Sequence, residues 1–244
     1  MHIVFYGDSL TRGVPGISFL RMLMPMLPQD ELINLGKGGD TVVSLYRRVA
    51  RSKDRRGSDL AVLWVGVNDV LATVSRSHTA LKWLMGQPRA RDLIEFREYY
   101  GRTLQCLCSS ADAILTVSPL LIGEDRSNPW NRRLLELGET IRSISRSLDG
   151  VHYVDLHSEL APGWAALEAS DYVPRSVTRI ALESLFLRSS QSVDRMASRR
   201  GLHITLDGVH LNTTGAERVA MAIRRAIDSL RAPLAEELRS MDRG

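Results

Sequence analysis

The apolar run Leu60-Ala61-Val62-Leu63-Trp64-Val65 determines how we interpret the rest of the chain. A parallel strand that is covered on both faces is apolar throughout, whereas a strand with one exposed face alternates between apolar and polar residues. A parallel strand needs parallel neighbours, and other short apolar runs close to turn signals fit that role. They are Ile3–Tyr6, Leu32–Leu35, Ala113–Val117 and Val151–Val154. The sequence therefore predicts five buried strands.

Helical periodicity separates these strands. Apolar residues at three-to-four spacing predict helices over Asp92–Leu107 and Asn131–Leu148, and Gly150 follows the second as a stop signal. A further helix is predicted near the end of the chain, where Thr214–Glu217 reads as a capping box. Strands that alternate with helices predict a three-layer α/β domain with a parallel sheet and right-handed crossovers. In such sheets ligands bind beyond the carboxyl ends of the strands, so chemistry is expected at that edge.

The length of 244 residues fits one domain over 1–244. Two segments, Leu71–Arg91 and Ser158–Leu206, are longer than ordinary connections and are predicted to be insertions that shape a pocket. The second is predicted to contain a helix, with Val177, Ile180, Ala181 and Leu185 on one side. It also carries three candidate pocket aromatics, for which core packing is the favoured interpretation: Trp164, Tyr172 and Phe186.

Composition excludes several other classes of protein. No apolar run approaches the roughly 18 residues of a transmembrane helix, and the first residues do not resemble a signal peptide. Cys106 and Cys108 are too few for a disulfide scaffold, so we expect a reduced, cytoplasmic protein. The net charge of +4 comes mainly from scattered arginines, and the densest run, Arg47–Arg56, has no interleaved aromatic residue. We therefore expect no nucleic-acid partner, while an acidic partner stays open.

Polar residues follow the predicted strands at the edge where chemistry is expected. The first strand is followed by Gly7-Asp8-Ser9-Leu10, the second by the glycine-rich segment Gly36–Thr41, and the third by Gly66-Val67-Asn68-Asp69. A fourth polar segment, Asp207-Gly208-Val209-His210, stands just before the final helix. Because the carboxyl ends of parallel strands lie at one edge of a sheet, these segments can converge.

Their residue types are those that acyl transfer requires. Ser9, at a strand-to-helix turn, is the candidate nucleophile, and His210 is the candidate base. Asp207, three residues before His210, can reach the imidazole within one turn and fix its tautomer. The backbone N–H groups of Ser9 and Gly39, with the side-chain amide of Asn68, supply donors for an oxyanion. No metal ion is needed for this chemistry.

The four segments, in this order, resemble the consensus blocks of the SGNH hydrolases, the family of GDSL esterases and lipases. The resemblance implies that Ser9 is the nucleophile, that Gly39 and Asn68 are oxyanion donors, and that Asp207 orients the base His210. It also implies a flavodoxin-like, five-stranded parallel sheet with helices on both faces, and no cofactor. Members of the family act on esters that range from lysophospholipids and thioesters to acetylated sugars, so a small-molecule, lipid or sugar ester is the expected substrate.

Other interpretations compete for individual residues. His157 follows the fifth predicted strand, but its spacing from Asp155 does not obviously provide an orienting carboxylate, so we interpret it as a rim or structural residue. Gly36–Gly39 lacks the patterns of phosphate-binding and dinucleotide-binding loops. Asp40 and Asp69 are weak evidence for a metal pair, and we expect them to hold their own turns by accepting backbone N–H bonds.

The function that follows is ester hydrolysis through a covalent acyl-enzyme on Ser9. Transfer of the acyl group to an alcohol uses the same residues and differs in whether water is excluded, so an acyltransferase is the alternative. A non-catalytic binding module on the same scaffold is a third possibility. The Ser158–Leu206 segment is expected to determine the substrate, and no feature of the sequence indicates an oligomeric state.

Overall fold

A computed structural model describes residues 1–52, 57–164, 170–173 and 189–241 of the chain. The helix that the sequence predicts around Val177 and Ile180 lies outside the described residues, as does Phe186.

The sheet has five strands, all of them parallel, in the order β2-β1-β3-β4-β5. Their bounds are β1 His2–Gly7, β2 Glu31–Gly36, β3 Ser58–Trp64, β4 Ala111–Val117 and β5 Val151–Val154. The central strand, β3, is buried from Leu60 to Trp64, which confirms the interpretation of its uninterrupted apolar run. The chain runs from β1 outward to β2 and then crosses back to β3, so the strand order reverses at β1.

Helices cover both faces of the sheet and confirm the three-layer α/β architecture. In chain order they are α1 Ser9–Arg12, α2 Phe19–Leu23, α3 Val42–Arg51, α4 Val67–Leu71, α5 Arg76–Leu84, α6 Leu93–Cys108, α7 Pro129–Ser145, α8 Leu156–Trp164, α9 Ser190–Arg199 and α10 Thr213–Met241. On one face α3 packs against α6, and α6 against α7. On the other, α10 packs against α2 and α8. Among the described residues, no helix is both long and apolar enough to cross a bilayer.

Helix boundaries differ from the sequence prediction where two capping residues compete. The predicted capping box at Thr214–Glu217 is wrong, because α10 begins at Thr213 and is capped by Asn212, two residues before Thr214. The Asn212 side chain accepts the Gly215 N–H at 2.9 Å, and Asn caps helices as well as Thr does. Helix α7 begins at Pro129 rather than Asn131, because Asn128 accepts the Asn131 N–H and proline fits the first helical turn.

Aromatic packing anchors α2 beneath the carboxyl edge of the sheet. Phe19 makes edge contacts with Phe5, at 6.1 Å between ring centroids, and with Trp64, at 5.5 Å. The Trp64 Nε1–H donates to the Ser118 carbonyl at 3.0 Å, so the buried ring keeps a partner for its polar atom. This cluster holds the ends of β1 and β3, from which the site is built.

Candidate active site

The loops that form the site start level with one another. Gly7, the last residue of β1, pairs in register with Gly36 at the end of β2 and with Trp64 at the end of β3. The reversal of strand order at β1 opens a crevice at this point, which is where open α/β sheets bind ligands. The three loops that leave this edge carry Ser9, Gly39 and Asn68.

The structure brings Ser9, His210 and Asp207 into one hydrogen-bonded line. The Ser9 Oγ lies 2.9 Å from His210 Nε2, and His210 Nδ1 lies 2.8 Å from Asp207 Oδ2. The other carboxylate oxygen of Asp207 accepts the backbone N–H groups of Val209 at 3.0 Å and His210 at 2.8 Å. Asp207 therefore holds both the imidazole and the turn that carries it, which is the reach within one turn that the sequence predicts.

The charges in this line depend on one another. Burial disfavours both charged forms, but the Asp207 carboxylate and its hydrogen bond more than offset this and raise the pKa of His210. In the same way, burial is outweighed by the charge and hydrogen bonds of His210 and by the Val209 N–H, so the pKa of Asp207 is lowered. Asp207 is thus suited to stabilise an imidazolium on His210.

The turn at Ser9 requires both of the residues before it. A Cβ on Gly7 would lie 2.2 Å from Thr11 Oγ1, so only glycine allows the chain to turn this tightly after β1. Asp8 caps α1 by accepting the Leu10 N–H at 2.9 Å. Asp8 therefore occupies the N-cap of α1, a position that serine also favours, and the Ser9 hydroxyl is directed to His210.

Gly39 also needs to be glycine. Its φ is +80°, and a Cβ would lie 2.5 Å from Gln87 Oε1 and 3.0 Å from Lys82 Nζ. Within the described part of the chain, the backbone N–H groups of Gly39 and Ser9 have no hydrogen-bond acceptor. Two donors at the site are therefore available to a ligand oxygen.

The Asn68 side chain connects three parts of the site. Its Nδ2 donates to Asp8 Oδ2 and to the Asp40 carbonyl, both at 3.1 Å. Its Oδ1 accepts from Lys82 Nζ at 2.8 Å. The amide is thus fixed at both ends, and the sequence did not indicate that both of its N–H groups have acceptors inside the protein.

Two site residues come from the Leu71–Arg91 segment and were not predicted. Lys82, on α5, donates from Nζ to the Gly39 carbonyl at 2.5 Å, and only 8% of the residue is exposed. Burial disfavours the ammonium and lowers the pKa of Lys82 to about 8, although nearby carboxylates, Asp8 first among them, act in the opposite direction. Gln87 donates from Nε2 to the Gly38 carbonyl at 3.0 Å. The unusual length of the segment was the only signal, because isolated polar residues in it match no motif.

Asp69 connects separate segments and Asp40 binds side chains of α3, so neither only holds its own turn through backbone N–H groups. Asp69 accepts the Val42 N–H at 2.9 Å and the Ala90 N–H at 3.0 Å, and burial raises its pKa to about 6. Asp40 accepts from Ser44 Oγ and forms a salt bridge of 2.9 Å with Arg48. Among the described residues, no group of three His, Cys, Asp or Glu side chains could hold a metal ion.

His157 lies outside the hydrogen-bonded line of Ser9, His210 and Asp207. Its Nδ1 is 3.0 Å from the Leu120 carbonyl, and Asp155 forms a salt bridge of 2.7 Å with Arg142. This arrangement agrees with the structural interpretation of His157. Of the candidate pocket aromatics, Tyr172 stacks with the Arg200 guanidinium at 4.9 Å, and the side chain of Trp164 lies outside the described residues.

Glu124 is a further residue that sequence reasoning missed. It lies between β4 and α7, is 6% exposed, and holds the segment that leads to Asp207. Oε2 accepts the His203 N–H at 2.7 Å. Oε1 accepts the N–H groups of Ile204 and Thr205 and the Thr205 hydroxyl, at 2.7–3.0 Å. No local pattern around Glu124 could have indicated contacts that span about 80 residues of sequence.

Comparison with known proteins agrees with this architecture. The model of the GDSL-like lipase/acylhydrolase family matches residues 5–218, and the curated proteins give no match. The chain is similar in structure to an acetyl xylan esterase, AlAXEase, with a TM-score of 0.62 and 23% identity over 93% of this chain and 100% of that one. It is also similar to Axe2, an acetylxylan esterase from Geobacillus stearothermophilus, with a TM-score of 0.65 and 16% identity over 92% of each chain. Structures described as catalytic mutants of Axe2, with a serine, an aspartate or a histidine replaced by alanine, match with TM-scores of 0.64–0.65.

The five-stranded parallel sheet with helices on both faces is the fold of the SGNH hydrolases. Because the family model covers most of its length, the chain belongs to the GDSL-like lipase/acylhydrolase family and is an ester hydrolase of the SGNH type.

Proposed function

We propose that the protein cleaves a carboxylic ester through a covalent acyl-enzyme on Ser9. The observation that supports this most directly is the line of hydrogen bonds from Ser9 Oγ through His210 to Asp207, 2.9 Å and 2.8 Å long. A serine hydroxyl becomes a nucleophile when a neighbouring base accepts its proton, and the base is effective when a carboxylate orients it.

The reaction has two halves. In the first, His210 accepts the Ser9 proton, Oγ bonds to the carbonyl carbon, and the tetrahedral intermediate collapses as His210 gives that proton to the departing alcohol oxygen. In the second, a water molecule loses a proton to His210, attacks the acyl carbon, and releases the carboxylic acid as the proton returns to Ser9. Asp207 stays ionised throughout, in keeping with its lowered pKa.

The negative oxygen of each intermediate is bound by the Ser9 and Gly39 N–H groups. Asn68 joins them by exchanging one of its 3.1 Å hydrogen bonds, to Asp8 or to the Asp40 carbonyl, for a bond to the oxyanion. That exchange favours the transition state, because the oxyanion carries more charge than the ester carbonyl it replaces. We expect Asn68→Ala to lower kcat by roughly 10²–10³.

An acetylated sugar is the substrate to test first. The similar structures are described as acetyl xylan esterases, and the Axe2 catalytic mutants replace the same three residue types that line up here. In Axe2 the mutated aspartate lies three positions before the mutated histidine, which is also the spacing of Asp207 and His210. We propose that the whole chain acts as one domain, in which the Leu71–Arg91 and Ser158–Leu206 segments flank the site.

The test uses p-nitrophenyl acetate and acetylated xylo-oligosaccharides. Ser9→Ala and His210→Ala should each lower turnover by on the order of 10⁴ or more, and Ser9→Ala should abolish labelling by a fluorophosphonate. Ser109→Ala, a change at an exposed serine, is the matched control and should leave both unchanged. Turnover by Ser9→Ala at the wild-type rate, or loss of labelling in His157→Ala but not in His210→Ala, would overturn the assignment.

A further inference from the structure

The Lys82 ammonium is bound in an unusual way. It is almost fully buried, and its hydrogen bonds go to neutral amide oxygens, the Gly39 carbonyl and Asn68 Oδ1. A buried lysine is costly unless it is paired, so most such groups lie against a carboxylate. One partner, Asn68 Oδ1, belongs to the side-chain amide proposed as an oxyanion donor, and the other is the carbonyl of Gly39 in the neighbouring loop.

A neutral side chain at position 82 would suffice if the Leu71–Arg91 segment only had to connect the loops by hydrogen bonds. Gln87 shows this, because its amide donates to the Gly38 carbonyl from the same segment with no charge to desolvate. The positive charge on Lys82 therefore has an effect besides connecting the loops. An amide oxygen that accepts from a cation draws electron density from its own nitrogen and makes the N–H a stronger donor.

The charges around Lys82 strengthen the argument. Asp8, Asp69 and Asp40 all act on the ammonium, while the Asp40 charge is also offset by Arg48. Without Lys82, the remaining negative charge close to the oxyanion loops would oppose a developing oxyanion. His78, on the same helix, is a second titratable group, whose pKa is lowered by burial and then by the Lys82 charge.

We propose that Lys82 is a positioning residue that orients and polarises the Asn68 side-chain amide, one of the proposed oxyanion donors. This inference rests on the esterase function proposed above. Through Oδ1, Lys82 holds the orientation of the Asn68 amide. Its bond to the Gly39 carbonyl fixes the Gly39–Asp40 peptide, whereas the Gly39 N–H belongs to the preceding peptide, whose Gly38 carbonyl accepts from Gln87. Lys82 itself does not contact the substrate, so its loss should affect the transition state more than substrate binding.

The first experiment compares Lys82→Met and Lys82→Arg with Lys37→Met. Lys37 is an exposed lysine in the glycine-rich loop, two residues before Gly39, and its side chain makes no hydrogen bond within the described residues, so Lys37→Met is the matched control. Lys82→Met should lower kcat by about tenfold to 10², with KM changed by less than about twofold, because the Asn68 amide stays present but loses its orientation. Lys82→Arg should recover part of the loss, and Lys37→Met should match the wild type.

Rates are expressed per site labelled by the fluorophosphonate, so misfolded protein does not count. A double-mutant cycle with Asn68→Ala then separates positioning from general stability. If Lys82 acts through Asn68, Lys82→Met should cost at most about two- to threefold in the Asn68→Ala background.

Two results would overturn the proposal: a wild-type kcat per labelled site in Lys82→Met, or an undiminished effect of Lys82→Met in the Asn68→Ala background. Failure of the esterase proposal looks different, because the wild type would then show no turnover that depends on Ser9.

Discussion

Replacing Glu124 should destabilise the protein in proportion to the hydrogen bonds that are lost. The carboxylate accepts four of them, one at Oε2 and three at Oε1, and it is almost fully buried. A hydrogen bond to a charged group contributes about 1.5–3 kcal/mol, and a buried donor left without an acceptor carries the penalty of its desolvation.

The two substitutions at this position differ in how many bonds they remove. Glu124→Gln keeps an oxygen at the Oε1 position and places an NH₂ group against the His203 N–H, so it should cost about 1.5–3 kcal/mol. Glu124→Ala removes all four acceptor contacts, and water that enters the space replaces some of them. We expect a cost of about 3–5 kcal/mol, near the upper end for a single substitution.

Urea unfolding followed by circular dichroism measures both free energies of unfolding. Glu159→Gln is the matched control, since Glu159 forms a surface salt bridge of 2.6 Å with Arg225, and such pairs contribute about 0–1 kcal/mol. For a chain of this length, each kcal/mol lowers the Tm by roughly 2–4 °C, so Glu124→Gln should melt roughly 3–12 °C below the wild type. If Glu124→Gln and Glu159→Gln unfold at the same urea concentration, the four contacts do not hold the segment before Asp207.

Two further predictions concern pH and the core. The kcat/KM for p-nitrophenyl acetate should rise with pH through the raised pKa of His210, because only the neutral imidazole accepts the Ser9 proton. It should fall above about pH 8 as Lys82 loses its charge. The Lys82→Met variant should lack that fall, and a fall that persists in this variant would show that Lys82 does not cause it. Phe19→Ala removes a fully buried ring and should lower the free energy of unfolding, measured in urea, by about 3–5 kcal/mol. Ile94→Ala, at a side chain 79% exposed, should change it by less than about 0.5 kcal/mol. Equal losses in the two variants would show that the aromatic cluster does not anchor α2.

The central strands could be predicted from the sequence because burial on both faces leaves a local mark. The prediction that all five strands are buried is wrong for β2, which lies at the edge of the sheet and has no buried residue. Leu60–Trp64 is apolar throughout because it lies at the centre of the sheet, where both faces of the strand are buried. The start of α10 was less predictable, since Asn212 and Thr214 are near-equal caps and only the tertiary packing selects between them.

The sequence could indicate that the proposed catalytic residues converge, for a related reason. Ser9, Gly39 and Asn68 each follow a strand whose end is visible in the sequence, and three-residue spacing links Asp207 to His210. Lys82 and Glu124 carry no such signal, because their roles depend on contacts across 43 and about 80 residues of sequence. Composition and periodicity describe what a residue does within its own element, and these two act on other elements.

The Leu71–Arg91 segment contributes contacts to other elements that its sequence does not indicate. Its length predicts a pocket wall, which stays a prediction, and its polar side chains also brace the loops behind the site. Lys82 donates to Asn68, which donates to Asp8, and Gln87 donates to the Gly38 carbonyl. An oxyanion site is more effective the less its donors move as the charge develops, and the Lys82 bond to Oδ1 holds the Asn68 amide in place while one of its N–H groups changes acceptor. Loops that leave three different strands have no common backbone to orient them. A charged side chain from a fourth element that bonds to two of them meets that need, and this is why we expect α5 to influence kcat more than substrate choice.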